Sequence, residues 1–131
     1  MVETYTPDCD YDMKAHEFEL VNVDNEFYSL ESCLGTKATL VMFICNHCPY
    51  VQSILDQLAV EASVMQKKGI GCVAINSNDY NAYPDDSFEN MQKISKKYGF
   101  SFPYLIDDNQ DIARKYNSVC TPDFFGFNSD L

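Results

Sequence analysis

The sequence predicts an α/β fold built on a mostly parallel central sheet. A continuous β-prone apolar run at 39–44 is typical of a strand that is buried on both faces of such a sheet. From Val51 to Met65 the apolar residues then recur at helical spacing, and a second apolar run follows at 70–76. A strand, a helix and another strand in this order indicate two parallel strands joined by a helical crossover.

The segments before the central strand predict an arm and a hairpin. Residues 1–14 show no periodicity, and we expect a flexible arm that precedes a domain spanning 15–131. Alternating apolar residues on both sides of Asp24-Asn25 predict an N-terminal β-hairpin over 18–30. A short helical turn at 32–35 then leads into the central strand.

The segments after the second strand predict two more helices and two more strands around the sheet. The pattern first indicates a polar loop at 76–86 and then a helix that ends at Gly99, with Asp85, Asp86 and Ser87 as N-cap candidates. A strand at 103–106 and a short helix capped by Asp107, Asp108 or Asn109 follow. The last predicted element is an aromatic strand at 123–127. Strands that alternate with helices in this way favour one sheet flanked by helices.

The composition narrows the classes of partner. A chain of 131 residues fits one domain, and its net charge of −11 with a pI near 4.3 argues against nucleic acid or an anionic membrane surface. No apolar run approaches the ~18 residues that span a bilayer. Residues 1–12 lack the basic start and apolar stretch of a secretory signal, so we expect a cytoplasmic protein.

Two of the six cysteines are close in sequence. Cys45 and Cys48 are separated by two residues and lie at the predicted junction of strand and helix, which indicates a thiol–disulfide redox site. In the cytoplasm cysteines stay reduced unless they are catalytic. The other four are scattered, and we expect them to be small, mostly buried apolar residues: Cys9, Cys33, Cys72 and Cys120.

The roles of the two cysteines depend on where the helix begins. A reactive thiolate is stabilised by the unpaired N–H groups and the positive end of a helix N-terminus. Proline favours the first helical position, so Pro49 makes Cys48 the N-cap, which favours Cys48 as nucleophile and Cys45 as its resolving partner. If Asn46 is the N-cap instead, Cys45 is the exposed nucleophile.

His47 lies between the two cysteines. When protonated, its imidazole would place a positive charge near the thiolate, lower the thiol pKa and stabilise the reduced form. The disulfide would then be a stronger oxidant. The alternative is a solvent-exposed histidine without a part in the reaction.

Four stretches of the chain resemble one family. The first is 40–51, which contains Asn46-His47-Cys48-Pro49-Tyr50, and the others are 74–79, 102–105 and 121–125. Together they are similar to the peroxiredoxin-like (AhpC/TSA-type) redoxin branch of the thioredoxin-like superfamily. The resemblance runs from about Phe18 to the end of the chain.

The resemblance implies a thioredoxin-like fold and further site residues. It places Pro122, after Thr121, as a cis-proline that faces the cysteines and presents backbone to an incoming peptide. Thr121 and Asn46 are then expected to bind substrate. Cys120 would lie close enough to serve as a third redox thiol, the alternative being a buried small residue.

The chain also departs from the family pattern. The usual fold continues with one more strand and a C-terminal helix, whereas the given sequence ends at Leu131. Either the strand at 123–127 lies at an edge, where it would allow self-association, or another segment or chain covers Phe124 to Phe127. A peroxiredoxin supports its reactive cysteine with an upstream Thr and Pro and a distant Arg. Here Met42 lies three residues before Cys45, and Cys45 lies three before Cys48, so no Thr is in register. Arg114, the one arginine of the chain, falls in a helix expected to face solvent.

Three functions remain open at this stage. The first is a dithiol–disulfide oxidoreductase without a cofactor, which acts on a disulfide-bearing protein or small thiol substrate and is recycled by a reductase. The second is a thiol peroxidase in which Cys48 is oxidised and then condenses with Cys45. The third is a Cu(I) or Zn(II) carrier that uses Cys45, His47 and Cys48 as ligands, although no metal is the expectation.

Overall fold

The computed structural model describes residues 15–46, 55–77, 86–107, 110–116 and 123–128. Within these ranges the elements are β1 (Glu19–Asn22), β2 (Phe27–Ser29), a 3-10 turn (Glu31–Cys33), β3 (Ala38–Phe43), α1 (Leu55–Lys67), β4 (Ile70–Asn76), α2 (Phe88–Tyr98), β5 (Tyr104–Ile106), α3 (Asp111–Lys115) and β6 (Asp123–Asn128). The predicted arm at 1–14 lies outside the described ranges, and the extent of the domain, 15–131, stays a prediction.

The six strands form one mixed sheet in the order β2-β1-β5-β4-β3-β6. Its centre is parallel, as expected, because β4 runs parallel to both β3 and β5. The hairpin of β1 and β2 joins β5 in antiparallel orientation, and β6 pairs antiparallel with β3. The parallel part of the prediction therefore holds for the centre, while the outer strands make the sheet mixed.

Strands β3 and β4 are buried on both faces, which explains their unbroken apolar sequence. In β3, Val41 and Phe43 point to one face, and Met42 points to the other. In β4, Val73 and Cys72 are divided between the faces in the same way. The sheet therefore separates two core layers, each packed by its own set of helices.

The core layer on the α1 and α2 side is called the first layer here, and the opposite one the second layer. Buried residues of the first layer include Ile44, Cys45, Leu55, Leu58, Ala62, Met91 and Tyr104. Those of the second layer include Phe18, Leu30, Cys33, Ile112, Tyr116 and Phe127. None of the helices in the described ranges combines the length and the apolar character that crossing a membrane requires.

The ends of α2 follow from its sequence. Ser87 is the N-cap, and its hydroxyl oxygen accepts a hydrogen bond from the backbone N–H of Asn90 at 3.2 Å. At the other end Gly99 adopts a left-handed conformation with φ 65°, which glycine reaches without steric cost. Among the three predicted cap candidates the structure therefore selects Ser87.

The start of α3 differs from the prediction. Gln110, with φ 62°, occupies the N-cap position, so the expectation that Asp107, Asp108 or Asn109 does so is wrong. The carboxylate of Asp107 still reaches the helix, because its Oδ2 accepts a hydrogen bond from the N–H of Ala113 at 3.0 Å. A left-handed residue at 110 turns the chain so that this carboxylate satisfies a first-turn N–H from outside the helix.

Strand β6 lies at one edge of the described sheet, as expected. The side chain of Phe124 is 44% exposed and borders an apolar groove of about 360 Å³. The other residues that line the groove come from β3 and α1: Leu40, Gln57, Leu58, Glu61 and Met65. Self-association through 123–127 stays a prediction.

Candidate functional site

Cys45 and Asn46 follow the central strand at the carboxyl edge of the sheet. The N–H of Ile44 donates to the carbonyl oxygen of Ile75 at 3.0 Å, which continues the pairing of β3 with β4 one residue past the strand. The carboxyl ends of parallel strands meet at one edge, and ligands of open α/β sheets bind there. The structure therefore places the first cysteine of the Cys-x-x-Cys sequence at the edge where chemistry is expected.

The Cys45 side chain is almost completely buried. It is 1% exposed and belongs to the first core layer, together with Met42 and Tyr104. A thiol at this depth is shielded from a large substrate. Its burial is set by the strand that precedes it, because β3 carries core residues on both faces.

Asn46 is held by two hydrogen bonds to buried groups. Its backbone N–H donates to Oδ1 of Asp86 at 2.6 Å, and its side-chain Oδ1 accepts from the hydroxyl of Tyr104 at 2.9 Å. The residue is 4% exposed. The predicted role of Asn46 in substrate binding stays a prediction, and its Oδ1 already bonds to a buried hydroxyl.

Asn76 completes a buried polar cluster beside Cys45. Its Nδ2 donates to Oδ1 of Asp86 at 3.2 Å and to the hydroxyl of Tyr104 at 3.3 Å. Asp86 and Asn76 are each 1% exposed, and Tyr104 is fully buried. These four residues, Asn46, Asn76, Asp86 and Tyr104, are called the Asp86 network below.

The Asp86 network joins the ends of three neighbouring strands, β3, β4 and β5. Asn46 follows β3, Asn76 ends β4 and Tyr104 begins β5, so the network ties together the three parallel strands. Burial, followed by the charges of Asp86 and Cys45, raises the pKa of Tyr104 well above its usual range. The phenol therefore stays protonated and donates to Asn46, and such a buried network fixes the local geometry.

The sequence does not predict this network, although it assigns other roles to three of its members. Asn46 is a possible N-cap and substrate-binding residue, Asp86 is a cap candidate, and Asn76 ends a predicted strand. The available signal was a polar residue directly after the apolar run of β4, which must find a buried partner. The partner itself, Asp86, is identified only by the packing of α2 against the sheet.

Two other cysteines confirm the expectation of small buried residues. Cys33 and Cys72 are free, buried thiols. Burial raises the pKa of Cys33 to about 11, against the opposing effect of a hydrogen bond with Ser32, and burial also raises the pKa of Cys72. Both are therefore poor thiolates near neutral pH. Cys9 and Cys120 lie outside the described residues.

Most of the other predicted site residues also lie outside the described ranges. They are His47, Cys48, Thr121 and Pro122, and their roles stay predictions. In the described part of the chain no three His, Cys, Asp or Glu residues come together in a way that could hold a metal ion. The predicted ligand set of the metal-carrier alternative is only partly described, so that alternative is not tested.

The two residues that depart from the peroxiredoxin pattern are both described. Met42 is fully buried in the first core layer, so no hydroxyl group occupies this position three residues before Cys45. The guanidinium of Arg114 lies on the surface of α3, as expected, where it donates to Oδ1 of Asp111 at 2.6 Å.

Comparison with protein families decides the family of this chain. A model of the AhpC/TSA family matches residues 12–130, which is nearly the whole sequence. The chain belongs to the AhpC/TSA family. The matched range spans the described sheet, so the resemblance to AhpC/TSA-type redoxins is confirmed. No curated protein matches the chain.

Solved structures share the same fold. An uncharacterized conserved protein from Geobacillus kaustophilus is 46% identical over 91% of this chain and 64% of its own, with a TM-score of 0.89. A hypothetical protein from Sinorhizobium meliloti 1021 is 36% identical over 94% of this chain and 67% of its own, with a TM-score of 0.90. This AhpC/TSA chain thus spans less than two thirds of the length of the Geobacillus protein.

A third structure shows the wider fold. A thiol:disulfide interchange protein of the thioredoxin family from Chlorobium tepidum TLS covers 86% of this chain and 75% of its own, with a TM-score of 0.70 and 23% identity. At that identity the likeness concerns the fold alone. The expected thioredoxin-like fold is confirmed.

Proposed function

We propose that this AhpC/TSA family protein is a thiol–disulfide oxidoreductase that uses Cys45 and Cys48. The observation that carries the proposal is the position of Cys45: a nearly fully buried thiol two residues past the end of β3, with a second cysteine three residues later in the sequence. A pair at this spacing can form an intramolecular disulfide and exchange it with a substrate.

The burial of Cys45 supports the division of roles between the cysteines. At 1% exposure Cys45 is unsuited to meet a substrate disulfide first, which favours Cys48 as the attacking residue. The Cys48 thiolate attacks one substrate sulfur, forms a mixed disulfide and releases the other sulfur as a thiolate. Cys45 then loses its proton and attacks Cys48, so the substrate leaves as a dithiol and the enzyme is oxidised to a disulfide.

The completed cycle requires two partners. The substrate is a disulfide-bearing protein or a small disulfide, and a reductase returns two electrons to the Cys45–Cys48 pair. We propose that Thr121 and Pro122 present backbone to the substrate beside Cys48. No cofactor enters this chemistry, because both electrons reside in the sulfur–sulfur bond.

Thiol trapping tests the proposal. Wild type, Cys45→Ser and Cys48→Ser are mixed with a disulfide substrate such as insulin, and the products are separated under non-reducing conditions. We expect Cys45→Ser to accumulate a stable mixed disulfide, because it keeps the attacking sulfur and lacks the resolving one. Cys33→Ser is the matched control and should turn over like wild type, since Cys33 is buried in the second layer. A trapped product with Cys48→Ser alone would reverse the roles, and none with any variant would refute the function.

A second candidate is favoured by the family match itself. Because the AhpC/TSA model covers 12–130, a thiol peroxidase in which peroxide oxidises Cys48 to a sulfenic acid is a specific alternative. The position three residues before Cys48 is Cys45, and the one three residues before Cys45 is the fully buried Met42, so neither cysteine has the upstream threonine of the peroxiredoxin arrangement. Insulin reduction and peroxide consumption measured on one sample separate the two activities.

A further inference from the structure

Asp86 is hydrogen-bonded to the peptide unit that follows the proposed resolving cysteine, Cys45. Its Oδ1 accepts the N–H of Asn46 at 2.6 Å, and that N–H belongs to the peptide bond that Cys45 forms with Asn46. A short chain of covalent bonds joins this nitrogen to the Cys45 sulfur. The distance between the Asp86 carboxylate and that sulfur is therefore at most roughly 8 Å. Both groups are 1% exposed, so little water lies between them to screen their charges.

Two other titratable groups that the structure describes in the first layer are neutral at neutral pH. Tyr104 of β5 and Cys72 of β4 both have raised pKa values, with burial as the largest cause. Tyr98 of α2 packs against the same layer from outside. Among the described residues of the Asp86 network, Asp86 is the one carboxyl group. It is therefore the group whose charge opposes a thiolate at Cys45.

We infer that Asp86 is a positioning residue for Cys45, whose carboxylate holds the Cys45–Asn46 peptide in place and by its charge keeps Cys45 in the protonated thiol form between turnovers. The effect of Asp86 on Cys45 goes beyond the proposed function, and its part in the reaction rests on that function. A protonated Cys45 leaves the pair with a single thiolate, so only one sulfur attacks the substrate. The neutral thiol gives up its proton when it attacks the mixed disulfide.

Two substitutions separate the charge of Asp86 from its hydrogen bonds. Asp86→Asn keeps the side-chain size and an oxygen that can accept from Asn46 and Asn76, but it removes the charge. Tyr104→Phe removes the hydroxyl that donates to Asn46 and leaves the charge of Asp86 in place. A role in structure alone would make Tyr104→Phe the more damaging change, whereas an electrostatic role singles out Asp86→Asn.

The measurement is the pH dependence of Cys45 alkylation by iodoacetamide, resolved by peptide mass spectrometry in reduced protein that carries Cys48→Ser. We expect Asp86→Asn to lower the midpoint for Cys45 by about one pH unit, a roughly tenfold faster reaction at a given pH below it, because two charges at ~8 Å repel appreciably in a buried site. Tyr104→Phe should move the midpoint by less than half as much. The Cys33 peptide of the same digest, whose pKa is raised to about 11 by burial, should not respond.

Three outcomes overturn the inference. An unchanged Cys45 midpoint in Asp86→Asn removes the electrostatic role, and an equal shift in Tyr104→Phe reduces the network to a structural one. If Asp86→Asn does not fold, the protein with native Asp86 still decides, because a Cys45 midpoint no higher than that of an unperturbed cysteine contradicts the inference. None of these results depends on catalytic turnover. The proposed function is tested separately, and it would be refuted if the wild-type protein formed no redox-active disulfide.

Discussion

Tyr116 and His16 are joined by two hydrogen bonds. The Tyr116 hydroxyl donates to the carbonyl oxygen of His16 at 2.7 Å and accepts from its backbone N–H at 2.9 Å. The ring of Tyr116 is fully buried and packs against Phe43 and Phe125, with ring centroids 5.5 Å apart in each case. One phenol therefore fixes the segment that enters β1 against the end of α3.

Replacement of Tyr116 by Phe should destabilise the protein. The ring still fills its space, but the backbone N–H and carbonyl of His16 lose their partner, so we expect the free energy of unfolding to fall by about 1–3 kcal/mol. Urea denaturation measures the change. Tyr28→Phe is the matched control, since its hydroxyl donates to the exposed Asp24 at 3.2 Å, and it should change stability by less than about 0.5 kcal/mol. Equal effects of both substitutions would contradict the structural role of Tyr116.

Gly35 and Gly71 allow two backbone segments to touch. A Cβ atom on Gly35 would lie 2.1 Å from the backbone nitrogen of Gly71, and one on Gly71 would lie 2.3 Å from the carbonyl oxygen of Cys33. Because the opposing atoms are backbone, relief requires the chain after the 3-10 turn to move away from β4. Gly71→Ala should therefore cost at least about 1–3 kcal/mol.

Gly126 in β6 provides the control for this prediction. A Cβ atom there would meet nothing within 4 Å, so Gly126→Ala should be tolerated or mildly stabilising. Thermal denaturation of both variants checks the pair. A Gly71→Ala protein as stable as Gly126→Ala would show that the 3-10 turn does not press on β4 in solution.

Stability should fall in alkaline solution because of Cys33. Its pKa is raised from 9.0 to about 11 in the folded protein, so above pH 9 the unfolded chain loses this proton first. By linkage the contribution is fully present below pH 9 and is lost as the pH rises towards about 11, up to about 2–3 kcal/mol. Urea unfolding of wild type and Cys33→Ala at pH 8 and pH 10.5 tests this, because the variant should lose less stability between the two. Parallel losses would exclude Cys33 as the cause.

His47 should set the redox potential of the proposed pair. If the imidazole of His47 is protonated, it would stabilise the thiolate of the reduced form, so His47→Ala should make the disulfide a weaker oxidant. We expect the equilibrium constant with glutathione to change by up to about tenfold, or about 30 mV. His16→Ala is the control, because His16 contacts Tyr116 in the second layer. Equal potentials of wild type and His47→Ala would remove His47 from the mechanism.

The local sequence pattern predicts the helices and strands well, but it does not predict which distant residues contact one another. The apolar run of β3, the cap at Ser87 and the stop at Gly99 depend on neighbouring residues, so the sequence contains the information. The contact of Asp86 with Asn46 joins residues 40 positions apart and depends on how α2 meets the sheet. Periodicity indicates which face of a helix is buried, but it does not identify the polar atom that a buried carboxylate meets. For this reason Cys45 was predicted as a site residue, whereas the network behind it was not.

Asp107 uses one of its two carboxylate oxygens. Oδ2 accepts from Ala113 at 3.0 Å and from the hydroxyl of Ser77 at 2.7 Å, whereas the buried Oδ1 has no hydrogen-bond partner among the described residues. A buried carboxylate with one unsatisfied oxygen is costly, and the two hydrogen bonds at Oδ2 offset that cost.

Asp107→Asn and Asp107→Ala should therefore differ in stability. Asparagine can keep both hydrogen bonds with its oxygen and removes the charge, so its free energy of unfolding should stay within about 1 kcal/mol of wild type. Alanine leaves the N–H of Ala113 and the hydroxyl of Ser77 without this hydrogen-bond acceptor. The free energy of unfolding should therefore fall by about 2–4 kcal/mol, and α3 should become less stable. Urea denaturation gives the free energies, and amide exchange at Ala113 reports the helix directly. If Asn destabilised as much as Ala, the charge itself would be required at this position, which would indicate that Oδ1 meets a cationic or donor group in solution.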